Sequence, residues 1–158
     1  MGSVVIRPIT QCIGRNIISP KAKNGDKDLL ICGTFVKTSC MGIKLDVWGF
    51  PHASQDGEMM TCAETAVWAI SEYFGEKYST YSRIFPHKIL DLLHDTSCQR
   101  QLPSIGLTYD MISLALLKQG LDCKVYHKDN PMFKELFTCY VESGFPLVVA
   151  IDGGNFGH

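Results

Sequence analysis

The stretch Thr61-Cys62-Ala63-Glu64-Thr65 is where chemistry is most legible in this 158-residue chain. Thr-x-x-Glu ahead of an apolar run is a capping box, with Thr61 as N-cap and Glu64 as the N3 residue. Cys62 then becomes the first helical residue, beside unpaired backbone N–H groups and the positive end of the helix dipole. That setting stabilises a thiolate over a thiol, and the thiolate is the nucleophile. The other six cysteines, at 12, 32, 40, 98, 123 and 139, stand in apolar or loop settings without such a helix start.

A nucleophilic cysteine also needs a group that takes and returns protons, and donors that hold the developing oxyanion. His158 is the best candidate base. It follows an apolar run and the glycines 153, 154 and 157, whose missing side chains let the backbone bend and another group approach closely. Gln55, seven residues before Cys62, is the candidate oxyanion donor, acting with the Cys62 backbone N–H. Each residue has a plainer use: a cysteine packs as a small apolar group, a loop glutamine is solvated, a histidine fills a core. Together and in this order they reinforce one another.

The elements that would position them follow from pattern. VVIRPI (4–9), LLICGTFV (29–36) and IKLDVWGF (43–50) are rich in β-branched and aromatic residues and read as strands. SPKAKNGDKD (19–28) reads as an exposed loop. From Thr61 the period becomes helical, with Ala63, Ala66, Val67, Ile70 and Phe74 on one face and Gly75 as the C′ residue. Trp68 and Tyr73 read as packing residues. A second helix is expected within 81–95, interrupted or started at Pro86. Thr108 caps a third, which ends at Gly120.

DCKVYH (122–127) reads as a short strand. Asn130-Pro131 reads as an N-cap and N1 proline opening a helix that stops at Gly144. FPLVVAID (145–152) is an almost continuous apolar run of the kind found in a central strand. A β-rich lead-in followed by this order of helices and strands predicts an α+β fold.

Composition narrows the function. With 15 basic and 16 acidic residues and no basic cluster, nucleic acid is a poor partner, since phosphate binding needs grouped Lys and Arg. No run reaches the length of a membrane span, and the N-terminus lacks a secretory signal pattern. Seven cysteines without C-x-x-C pairing support neither a zinc ribbon nor a thioredoxin-like redox motif, and fit a reduced, cytoplasmic chain with mostly buried thiols. The five histidines make no H-E-x-x-H spacing, and no metal or cofactor is expected. Seven residues separate His87 from His94, one helical face, which packing explains more readily than a ligand pair.

The order Gln55, Cys62 at a helix start, several helices, then GFPLVVAID and Gly157-His158 resembles the papain-like cysteine peptidases. The likeness is to the bacterial branch that includes bacteriocin leader-processing peptidase domains, and it runs from about Ser54 to His158. It implies a papain-like fold over 51–158, with residues 1–50 a β-rich N-terminal extension. By residue it implies Cys62 as nucleophile, His158 as general base and Gln55 as oxyanion donor. The substrate class implied is a peptide or protein, and GLTYDMISLALLKQG (106–120) resembles the helix between the two catalytic halves.

Two departures stand out. Gln55 lies seven residues before the cysteine where the family usually has about six. The orienting Asp or Asn of the family would lie beyond His158, so a C-terminally truncated catalytic region with an incomplete sheet is expected. Asp152, six residues before His158, is a candidate substitute. Peptide hydrolysis through an acyl-enzyme is the activity implied. The alternatives are an acyltransferase or transpeptidase on the same scaffold, and a peptide-binding domain that performs no chemistry.

Overall fold

β-branched residues are frequent in the early strands of the computed structural model, which describes residues 2–8, 13–20, 32–54, 62–93 and 107–151. β1 (Gly2–Ile6) pairs antiparallel with β2 (Ile13–Ile18), and β2 with the two-residue β5 (Pro51–His52), giving a sheet of order β1-β2-β5. β3 (Thr34–Cys40) and β4 (Ile43–Gly49) form a separate hairpin in continuous register, from Thr34↔Gly49 to Cys40↔Ile43. Its turn, Met41-Gly42, has φ of 50° and 82°, the two positive values of a type I′ turn, whose twist matches that of the flanking strands. Val36 and Val47 point inward and meet Ile17 of β2 in a small core that joins the two sheets.

The larger core lies around α1 (Cys62–Lys77), α2 (Pro86–Leu93) and α3 (Tyr109–Leu117). Val67, Trp68, Ala69 and Ile70 of α1 are buried against Ile89 and Leu93 of α2, Ala115 and Leu116 of α3, and Ala53 just after β5. Each Val, Ile or Leu side chain among them contributes about 1.5–3 kcal/mol when taken fully out of water. The expected apolar face of α1 is only part of what is covered. Glu64, Thr65, Ser71 and Glu72 are buried as well, so the helix is enclosed on several sides.

Polar groups enclosed in this way require partners. Ser71 donates to the Val67 carbonyl at 3.0 Å and also bonds Gln119, beyond α3. Glu72 and Glu76 face Arg15 of β2, at 3.3 and 3.1 Å, and Glu76 also takes Arg83 at 2.8 Å. Rings extend the contact to the hairpin end, Phe50 to Tyr73 and Tyr73 to Phe74, each at 5.3 Å between centroids.

Gly75 corrects the expected helix end. It lies inside α1, which continues to Lys77. A Cβ at 75 would stand 2.5 Å from Arg83 Cγ and 3.0 Å from the Arg83 backbone nitrogen. The bare backbone lets the segment before α2 cross the helix there, and Arg83 then reaches Glu76.

The signals of α2 and α3 are where pattern placed them, whereas the expected Asn130 cap with Pro131 at N1 is corrected: that helix starts at Phe133, with Met132 as its N-cap. α2 starts at Pro86, whose fixed φ and missing N–H suit a first helical position. Thr108 caps α3 by accepting from the Met111 N–H at 3.4 Å. Gly120 ends it at φ 83°, with the Leu121 N–H donating to the Leu116 carbonyl and the Gly120 N–H to that of Leu117, the paired bonds of a Schellman motif. β2 was not foreseen, because its Gly-Arg-Asn centre interrupts the apolar alternation.

The chain divides into two compact units, residues up to Lys124 and residues from Val125 on. In the second, the Asn130 side chain accepts from the Met132 N–H at 2.9 Å, and α4 (Phe133–Glu142) begins one residue later. Gly144 ends it at φ 73° in the same motif as Gly120, with Phe145 N–H to the Tyr140 carbonyl and the Phe145 ring edge-on to Tyr140. Two expected strands are absent. Among the described residues, 122–127 and 145–151 have no ladder partner, and Phe145, Val148, Val149 and Ile151 are exposed. A strand is defined by its neighbour, and apolar composition supplies none.

Replacing Gly75 with alanine tests the crossing. Helix propensity alone would favour alanine by up to about 1 kcal/mol. Overpacking against Arg83 reverses that sign, and Gly75→Ala is expected to destabilise by about 1–3 kcal/mol, read from the midpoint of urea unfolding at unchanged slope.

Candidate active site

Cys62 is the first residue of α1, and its side chain is exposed. Both properties are those a nucleophile needs: open access for a substrate, and the unpaired amides of a helix start. Glu64, the expected capping partner, is 3% exposed and stays in the first turn of the helix. Thr61, Gln55, Asp152 and His158 lie outside the described residues. Of the three proposed catalytic groups, Cys62 alone therefore has a described environment.

Among the described residues, contacts on both sides of Cys62 hold its helix. The Arg15 pair with Glu72 and Glu76 ties α1 to β2. Upstream, the chain leaves β5 through Ala53, buried in the helical core, and Ser54. The Ser54 N–H donates to the Ile13 carbonyl at 3.2 Å, and its hydroxyl donates to the same oxygen. One Arg7 nitrogen, Nη2, donates to the Ile13 carbonyl at 3.1 Å and to the carbonyl and Oγ of Ser54, both at 3.2 Å. No local sequence signal marks the contacts to Ser54, which join residues 41 and 47 apart.

Three further histidines are described. Asn16 and His52 are cross-strand partners, with Asn16 Nδ2 3.3 Å from His52 Nδ1. His127 lies 2.9 Å from Asp129, both largely exposed, and His87 stacks on Phe85. Among the described residues no three His, Cys, Asp or Glu side chains gather as metal ligands would. Nor, among them, is any helix long and apolar enough to cross a membrane.

The described cysteines divide by environment. Cys40, Cys62 and Cys139 are exposed, while Cys32 and Cys123 are half-buried. Burial pushes the Cys32 thiol up, partly offset by a backbone hydrogen bond and Lys77. It pushes the Cys123 thiol up too, with the Asp122 carboxylate adding to the effect. At the far end of α1, Lys77 donates to the Tyr73 hydroxyl at 2.7 Å, and this bond chiefly holds the ammonium above its ordinary range.

No protein-family model, curated protein or solved structure matches this chain.

The thiol environments predict an order of reactivity. A raised thiol holds its proton to higher pH, so its thiolate fraction at a given pH is lower and its alkylation slower. Cys32 and Cys123 are expected to label with iodoacetamide more slowly than Cys40 and Cys139 throughout pH 7–9, the gap narrowing as pH rises. Site-resolved peptide mass spectrometry measures it. Equal rates for the four would contradict the assignment.

Proposed function

We propose that the chain is a cysteine peptidase of the papain-like type, in which residues 51–158 carry the catalysis and Cys62 is the nucleophile. The observation that carries the reading is the coincidence of helix start and exposed cysteine: α1 begins at Cys62, and that side chain is open to solvent. The coarse α+β composition supports it further.

In this reading the Cys62 thiolate attacks the carbonyl carbon of a peptide bond. The oxyanion is held by the Gln55 side-chain amide and the Cys62 N–H. The C–N bond breaks as the His158 imidazolium gives its proton to the leaving amine, leaving a thioester. Water, deprotonated by His158, then attacks the thioester and releases the carboxylic acid and the Cys62 thiolate. A peptide or protein is the substrate and the cytoplasm the proposed location, with no metal or cofactor taking part.

A second reading, a peptide-binding domain without catalysis, draws on residues 145–151. They form no strand, although in the first reading they would be the element leading to the base. An acyltransferase shares nucleophile and base with the peptidase and differs in the acceptor that resolves the thioester.

The test is turnover of quenched-fluorescent peptides, with and without an added primary amine. Peptidase action predicts cleavage that falls by at least about a thousandfold in Cys62→Ala and in His158→Ala. Iodoacetamide labelling of Cys62 at pH 6 should also outpace that of Cys40 and slow in His158→Ala. Amide products in place of acids identify a transferase. Peptide binding without turnover, unchanged in Cys62→Ser, identifies the binding domain and overturns the catalytic reading.

A further inference from the structure

We infer that Arg7 is a positioning residue for Cys62, and that the β-rich N-terminal region is a fixed support of the site. The inference rests on the peptidase reading above, and Arg7 itself lies outside the stretch that resembles a peptidase.

The argument begins at β2. This one strand holds the chain at two points on either side of Cys62. Upstream, the Ile13 carbonyl accepts from both the Ser54 N–H and the Ser54 hydroxyl. Downstream, Arg15 pairs with Glu72 and Glu76 on α1. Ser54 precedes Cys62 by eight residues, and Glu72 follows it by ten. Ser54 and the body of the helix are therefore both referred to this one strand, at residues two apart.

Arg7 closes the upstream hold. Its Nη2 reaches three oxygens at once, the Ile13 carbonyl at 3.1 Å and the Ser54 carbonyl and Oγ at 3.2 Å. A guanidinium donating to a carbonyl makes a charge-assisted bond, stronger than its neutral counterpart. Two of these acceptors already take part in the Ser54–Ile13 contact, so Arg7 fixes an existing junction rather than forming a separate one. The guanidinium lies between the chain leaving β1, the start of β2 and the chain leaving β5, and ties all three. A surface arginine with one exposed carboxylate partner would tie none of them.

Positioning matters because reactivity falls steeply with small displacements of the reacting group. Removing Arg7 leaves the fold its two cores and the Arg15 pairs, and frees Ser54, eight residues before Cys62. Because all three bonds leave one nitrogen, a lysine ammonium with three N–H donors can replace most of them.

The experiment compares the full chain with Arg7→Ala, Arg7→Lys and Ser54→Ala. Iodoacetamide labelling of Cys62 is followed from pH 5 to 9 with Cys40 as internal reference, alongside amide hydrogen exchange of peptides covering 50–77. Expected are a fall of about tenfold in the Cys62-to-Cys40 rate ratio at pH 6 in Arg7→Ala and most of the ratio regained in Arg7→Lys. Faster exchange in Arg7→Ala should be confined to the peptide around Ser54, and Ser54→Ala should fall between the wild type and Arg7→Ala. An unchanged ratio in Arg7→Ala, an equal loss in Arg7→Lys, or a loss shared by every cysteine and every peptide overturns the inference. Wild-type Cys62 labelling no faster than Cys40 is instead the failure of the peptidase reading, and is visible before any variant is compared.

Discussion

Two carboxylates on one enclosed helix set the terms for the first compact unit. Glu72 is nearly buried and Glu76 mostly so. A carboxylate held out of water without a partner costs several kcal/mol. Arg15 must therefore lie along α1, and β2 lies there to bring it. Arg83 must reach Glu76 from the other side, and the segment before α2 crosses the helix to allow it. The same β2 sends Ile17 into the sheet core and offers the Ile13 carbonyl to Ser54. Electrostatic necessity and strand packing thus select one arrangement, and Cys62 is placed by it.

How much of this was legible depends on the distance over which each signal acts. The start of α1 at Cys62, the proline start of α2, the threonine cap of α3 and the glycine ends at 120 and 144 all depend on residues within one or two turns. Each is where pattern put it. The hairpin strand 43–49 was also plain, because alternation there is uninterrupted. β2 was not, since its centre is polar for reasons that lie on α1. The Arg7–Ser54 bonds join residues 47 apart and the Arg15 pairs residues 57 and 61 apart, and no spacing rule reaches so far. The candidate site shares this divide. The helix and exposed thiol were foreseeable, whereas Gln55 and His158 lie outside the described residues.

Apolar composition misled where it stood in for pairing. Residues 145–151 have the β-branched content of a central strand, yet most of their side chains are exposed and no ladder forms among the described residues. In α4, too, no residue is buried. Local order in this second unit comes instead from short-range devices: the Asn130 turn, the Gly144 motif, and the Tyr126–Tyr140 hydroxyl contact at 3.0 Å. Such devices shape a segment without burying it, and burial is what a strand or helix face needs for most of its stability.

The glycine inside α1 has a consequence for how this sequence can drift. Every amino acid reachable from glycine by mutation adds at least a Cβ, and at position 75 that atom meets the backbone of residue 83. No single replacement is therefore neutral, unlike at an exposed helical glycine. The connection from 78 to 85 inherits the restriction. Inserting or deleting a residue there would shift which group crosses the gap and would part Arg83 from Glu76. A loop, ordinarily the segment freest to change length, is here held to one length by the absence of a side chain on the helix beneath it.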